Sequence, residues 1–157
     1  FFARLGHNKF AVFRHSNNYG PYDKYDLEKS HVFGATLTKV MTAKNGKVVV
    51  WGKGQEERDL LYISDLIHAV ELALERQKTP FEIFNIGLGQ TIAVKELVQK
   101  IIDYSKRNLV IDYDLSKPSI KTQFCLDCTK AKEVLSWEPK VNLDEGIKKT
   151  MSWYKNS

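Results

Sequence analysis

Apolar and polar positions alternate along this chain with two periods, one suited to strands and one to helices. Lys9 to His15 is a short apolar run of strand length, and Gly6 before it suits the end of a helical segment that Phe1-Phe2-Ala3-Arg4 would belong to. Through Asn17, Asn18, Tyr19, Gly20 and Pro21 the pattern lapses, which predicts a loop. From Ser30 to about Lys44, Phe33, Leu37, Val40 and Met41 fall four and three apart and predict a helix stopped by Asn45-Gly46. Lys47 to Trp51 and Leu60 to Ile63 read as strands parted by a Gly52-Lys53-Gly54 turn. Ser64 is placed to cap a helix with Leu66, Ile67, Val70 and Leu74 as its stripe, ended before Pro80.

Phe81 to Ile86 predicts a further strand, closed by Gly87-Leu88-Gly89. A helix begins near Thr91, with Val94, Leu97, Val98, Ile101 and Ile102 on one side. Leu109 to Tyr113 reads as a strand, then come a short strand near Phe124, a small helix over Thr129 to Leu135 and a last helix from about Leu143 to Tyr154. Strands and helices in alternation give the α/β class.

Length and composition set limits on this picture. With 157 residues, 43% hydrophobic and 27% charged, the chain has the makeup of one globular domain. Two cysteines cannot form a disulfide framework, and no apolar run approaches the roughly 20 residues that span a bilayer, so a cytoplasmic setting is expected. The net charge of +5 suits an anionic ligand, but lysines alternate with acids and form no basic and aromatic face, which argues against nucleic acid.

Candidate chemistry is sparse when each motif is taken alone. Neither Gly52-x-Gly54 nor Gly87-x-Gly89 is completed into a dinucleotide or P-loop fingerprint. Cys125-Leu126-Asp127-Cys128 has no second pair and no histidine at finger spacing, which favours a structural role, with Asp127 or Thr129 capping the next helix. The Tyr-x-x-x-Lys spacing occurs at Tyr25/Lys29 and Tyr113/Lys117, too near the number that chance gives with seven tyrosines to count as evidence. Trp51 at a strand end and Arg58 at the start of the next read either as a stacking and diphosphate-binding pair or as a plain hairpin with a core Trp and a solvated Arg. His31, at a helix start, has the side chain whose ordinary titration range suits proton exchange, or it simply caps the helix.

Four ordered blocks carry more weight together. They are Arg14-x-x-Asn17-x-Tyr19-Gly20-Pro21, then Arg58 to Leu66, then Phe84-Asn85-Ile86-Gly87, and finally Asp127-x-Thr129-Lys130-Ala131 with Leu135-x-Trp137-x-Pro139. In this the chain resembles the C-terminal half of an extended short-chain dehydrogenase/reductase of the NAD-dependent epimerase/dehydratase family. Tyr19-Gly20-Pro21-x-Asp23, Ser30-His31-Val32 and Val48-Val49-Val50-Trp51-Gly52-x-Gly54 are most similar to its GDP-L-fucose synthase branch, which performs 3,5-epimerisation and 4-keto reduction. UDP- or dTDP-sugar 4-epimerases and 4,6-dehydratases share the remaining blocks, and a non-catalytic sugar-nucleotide-binding module is a further alternative.

The resemblance implies the last strands of a Rossmann-type parallel sheet plus a small α/β substrate-binding lobe. It assigns His31 to acid catalysis, Asn17, Lys39, Trp51, Arg58 and Lys121 to the nucleotide-diphosphate sugar, and Asn17 and Asn18 to the cofactor, NADP or NAD. It implies a homodimer that takes up no nucleic acid, membrane or metal. The family's glycine-rich loop and its Tyr-x-x-x-Lys couple precede the Arg-x-x-Asn strand. Residues 1–157 are therefore expected to be a single substrate-binding half without the dinucleotide-binding part, inactive alone and with an exposed apolar sheet edge. Departures from the family are His15 and Gly34, each at a customary proline, and Ser119 to Phe124 in place of a glycine-containing basic stretch.

Overall fold

A computed structural model describes residues 1–6, 8–27, 29–117 and 122–157. A short 3-10 turn over Phe2–Leu5 ends at Gly6, whose φ of 77° is the left-handed conformation expected of a helix-terminating glycine. The elements are then β1 (Phe10–His15), β2 (Asn17–Tyr19), α1 (Val32–Thr42), β3 (Lys47–Trp51), β4 (Glu57–Tyr62) and α2 (Ile63–Arg76). They continue with β5 (Phe81–Ile86), β6 (Thr91–Ala93), α3 (Val94–Ser105), β7 (Val110–Asp114), α4 (Thr129–Leu135) and α5 (Leu143–Asn156).

Three small sheets organise these strands. β1 pairs parallel with β5, β3 pairs parallel with β7, and β4 lies between β2, to which it is parallel, and β6, to which it is antiparallel. The centre of the molecule is therefore β4, whose residues alternate between two cores. Leu60 and Tyr62 enter a core with Tyr19, Phe33, Leu37, Val48, Leu97, Ile101 and Ile147, where α1, α3 and α5 converge. Leu61 enters a second core with Ala69, Leu72, Phe84, Ile86, Leu135 and Trp137, where α2 and α4 cover the β1–β5 pair. Buried Asp65 ties α2 to the chain after α4: Trp137 Nε1, of the second core, donates to its carbonyl at 2.9 Å, and Val141 N, of the first, to its Oδ2 at 3.0 Å. On the β1–β5 pair Phe10, Val12 and Phe81 stand exposed.

Four local expectations are corrected. Residues 17–19 form β2 rather than loop, because parallel pairing with Leu60 to Tyr62 overrides the weak strand preference of two asparagines. Residues 91–93 likewise pair with β4 before α3 begins. Residues 122–128 contain no strand at Phe124. In α2 the stripe is displaced: Ile67, Val70 and Leu74 are exposed, while small Ala69 and Ala73 with Leu72 lie inward, and the helix starts at Ile63 with Tyr62, not Ser64, at the cap position. Small side chains bring this helix close to the second core, a reason that a count of bulky apolar residues overlooks.

Gly34 also finds its reason. A Cβ there would come within 2.4 Å of the Lys24 carbonyl oxygen, so α1 and the chain leading to it are in direct backbone contact. Among the described residues no helix is long and apolar enough to cross a membrane.

Candidate functional site

Arg58 stands on β4, opposite Ile92 of β6, on the same side of the strand as Leu60. Its Nη1 donates to the Glu57 carbonyl at 2.9 Å and to Thr122 Oγ1 at 2.8 Å. Among the described residues no carboxylate pairs with it, which leaves the rest of a five-donor fork open. Arg58 borders three cavities, of about 920, 700 and 220 Å³. An unpaired, half-buried guanidinium facing open space is a site for an anion.

The smallest cavity lies between α1, β3 and the start of α3. Lys39, Trp51 and Arg58 meet around its apolar lining of Val48, Val50 and Val98. Lys39 Nζ donates to the Val49 carbonyl at 3.0 Å, and burial pulls its pKa below the ordinary lysine value. Trp51 is 60% exposed, with Lys39 Nζ 5.8 Å and Lys117 Nζ 5.7 Å from its ring centroid. The plain-hairpin reading of this stretch fails on two counts: Trp51 is not a core residue, and β3 pairs with β7 instead of β4. A broad ring flanked by two ammonium groups offers a face for a planar base and charge for a phosphate beside it.

The largest cavity is bordered by His15, Ser16, Asn17, Asn18, Asp23, His31, Arg58 and the chain at 122–124. Asn17, fixed in β2, donates from Nδ2 to the Asp59 carbonyl at 3.3 Å. Asn18 Nδ2 lies 2.8 Å from His15 Nδ1 and donates to it. His31 occupies the cap position of α1, is exposed, and carries no side-chain cap bond, so its ring is available to a molecule in the cavity. The structure thus brings Asn17, Asn18, His31 and Arg58 to one cavity and Lys39, Trp51 and Arg58 to an adjoining one. Lys121 lies outside the described residues.

Asp59, which sequence reasoning did not single out, sets the frame behind Arg58. Adjacent strand residues point to opposite sides, so the carboxylate is fully buried on the far side of β4. Its Oδ1 accepts from Leu88 N at 2.8 Å, and its Oδ2 accepts from Gly89 N at 3.4 Å and Leu126 N at 3.3 Å. A Cβ on Gly87 would stand 2.6 Å from that carboxylate, which explains a glycine there. One side chain therefore holds both the Gly87–Gly89 turn and the segment carrying Thr122. Asp59→Asn leaves at least one buried N–H unmet and is expected to cost about 2 kcal/mol. Thermal melts and faster amide exchange at Leu88 and Leu126 than in α3 check this; an unchanged melt with unchanged exchange contradicts it.

The other motifs resolve as structure. Gly87 N donates to Cys128 Sγ at 3.2 Å, burial pushes both thiols above the ordinary cysteine range, and Asp127 Oδ1 accepts from Thr129 N at 2.9 Å. No group of three metal-ligating side chains occurs among the described residues. Tyr25 donates to the Gly20 carbonyl at 2.6 Å and packs on Trp153 and Tyr154, so it belongs to the scaffold.

With this geometry established, comparison with known proteins is decisive at the family level. The profile of the GDP-mannose 4,6 dehydratase family matches residues 6–150. The chain belongs to that family. Among relatives of this dehydratase family, GDP-L-fucose synthase 1 of Arabidopsis thaliana is 35% identical over 142 residues, covering 88% of this chain and 43% of that protein. GDP-L-fucose synthase of Escherichia coli is 33% identical over 153 residues, covering 88% and 46%. Among solved structures, UDP-glucose 4-epimerase of Thermotoga maritima with UDP-glucose superposes with a TM-score of 0.82 at 32% identity, over 99% of this chain and 48% of that one. dTDP-glucose 4,6-dehydratase of Bacillus anthracis in complex with NAD gives 0.76 at 27% identity, over 94% and 44%. The fold is that of short-chain dehydrogenase/reductase epimerases and dehydratases, and the chain spans about half the length of the curated relatives it matches.

Proposed function

We propose that this chain forms the substrate-holding part of an NAD(P)-dependent nucleotide-sugar epimerase/reductase of the GDP-L-fucose synthase type. The observation that carries this reading is Arg58, unpaired at the junction of a cavity with an aromatic platform and a cavity with an imidazole. Arg58 and Lys39 hold the diphosphate, Trp51 takes the base, and the sugar occupies the larger cavity between Asn17 and His31. There His31 exchanges a proton at a carbon flanking the sugar carbonyl, while the distant diphosphate anchor fixes the ring's orientation.

The described residues fit only one end of a nicotinamide dinucleotide. Residues 1–157 contain no glycine-rich pyrophosphate loop, but Asn17 and Asn18 border the largest cavity with carboxamide groups that suit the amide edge of a nicotinamide. Asn17 and Asn18 would hold that edge, and the group, when bound, supplies hydride transfer. A second reading, 4-epimerisation or 4,6-dehydration of a UDP- or dTDP-sugar, draws on the likeness to the Thermotoga epimerase over nearly the whole chain.

Titration calorimetry with GDP, UDP, dTDP and a short oligonucleotide separates these readings. A nucleoside diphosphate is expected to bind, the preferred base choosing between them, and the oligonucleotide is not. Binding of the oligonucleotide alone would overturn both.

A further inference from the structure

Inverting a carbon beside a carbonyl asks for more than His31. A base takes the proton from one face, the C–H electron pair moves into an enolate, and an acid returns a proton to the same carbon from the other face; one group gains the proton that the other gives up. A single imidazole serves a single face, so a second proton-exchanging group must meet the sugar.

Among the described residues, His15, Asp23, His31 and Arg58 are the ionisable side chains that border the largest cavity. Arg58 is permanently charged and cannot exchange a proton. Asp23 is set aside by its bonding, since its Oδ1 accepts from Lys24 N at 2.7 Å and its Oδ2 is closed to water. His15 remains. It is exposed at the carboxyl end of β1, on the side where ligands of open α/β sheets bind, and it reaches the cavity from a different element than His31 at the start of α1.

The surroundings of His15 suit a ring that changes charge. Its Nδ1 lies 2.8 Å from a donor, Asn18 Nδ2, and 2.9 Å from an acceptor, the Ser16 carbonyl. Bare, Nδ1 accepts from Asn18; protonated, it donates to Ser16. The ring is held in either state, and with the Nδ1 proton on the Ser16 carbonyl, Nε2 is the nitrogen that gives or takes a proton. Among the described residues Nε2 has no hydrogen-bond partner.

We propose that His15 is the second acid–base residue of the cavity, exchanging through Nε2 the proton opposite to the one that His31 handles. This rests on the assignment of the cavity to the sugar, and the test keeps the two apart.

NMR of the intact chain follows the imidazole signals of its four histidines as GDP, UDP, GDP-mannose and UDP-glucose are added. For the base that binds, the sugar conjugate is expected to shift His15 and His31 beyond what the bare diphosphate does, and His68, on α2 beside Glu71, to stay in place. Proton exchange needs no hydride, so deuterium uptake from D2O by a 4-keto nucleotide sugar is measured on the same chain, although complete turnover is not expected of it. His15→Gln keeps polar atoms for Asn18 and Ser16 to bond and should slow that uptake about 100-fold. If the sugar conjugate binds but leaves the His15 signal where the bare diphosphate put it, or if His15→Gln promotes uptake as fast as the wild type, the role of His15 is wrong and the sugar-nucleotide reading stands. If neither GDP nor UDP binds, both fall.

Discussion

Replacing Arg58 with alanine should weaken binding of a nucleoside diphosphate about 100-fold. The figure follows from the bonds at stake: a guanidinium contributes charge-assisted bonds of roughly 1.5–3 kcal/mol each, and about 2.7 kcal/mol is a factor of 100. Arg58→Lys retains the charge but not the planar fork, and is expected to fall between wild type and alanine. Because Arg58 also bonds Thr122, a part of the loss could come from the 122–128 segment rather than from the ligand. Thr122→Val removes that bond alone and should cost no more than a fewfold. Equal losses for Thr122→Val and Arg58→Ala would transfer the role from the guanidinium to the segment, and an Arg58→Ala variant that binds like wild type would remove Arg58 from the site altogether.

Gly146→Ala should destabilise the fold by about 3 kcal/mol, lowering the melting temperature by about 6–12 °C. Two effects oppose each other. Alanine in a helix gains about 1 kcal/mol in propensity over glycine, but a Cβ on Gly146 of α5 would lie 2.0 Å from Tyr19 Oη and 2.8 Å from its Cζ. Tyr19 cannot step aside, because its ring is buried, stacked on Phe33 with centroids 4.0 Å apart, and set edge-on to Tyr62 at 5.6 Å. The clash therefore outweighs the propensity. A Tyr19→Phe/Gly146→Ala double variant removes the nearest atom and should recover part of the loss. A Gly146→Ala protein melting at or above the wild-type temperature would show that α5 does not press on Tyr19.

Strands β1, β3, β5 and β7 and the inner faces of α1 and α3 were legible in the sequence because their apolar residues follow the period of the element that buries them. β2 and β6 were not: three residues each carry no period, and their strand form comes from pairing with β4, far away in the chain. α2 misled for a different reason, since its inward face is chosen by the smallness of Ala69 and Ala73 rather than by bulk. Of the residues bordering the two adjoining cavities, His31, Lys39, Trp51 and Arg58 were legible because their side chains carry recognisable chemistry and sit in blocks that resemble a known family. Asp59 and Thr122 were given no role, and Asp23 and Lys117, though named within motifs, were assigned none at the site. Their importance lies in what they face: three backbone N–H groups for Asp59, a cavity wall for Asp23, and partners across the fold for the other two. The one available hint for Asp59 was its place beside Arg58 on a strand, where alternate residues must serve opposite faces.

The most direct measurement is a crystal structure of this chain grown with the nucleotide sugar that calorimetry selects. The diphosphate is expected on the Arg58 guanidinium, the base against Trp51 and the sugar ring between Asn17 and His31. A diphosphate seated instead in the cavity between β6, α3 and the start of α5, or an Arg58 side chain turned to bulk water with the ligand bound elsewhere, would contradict it.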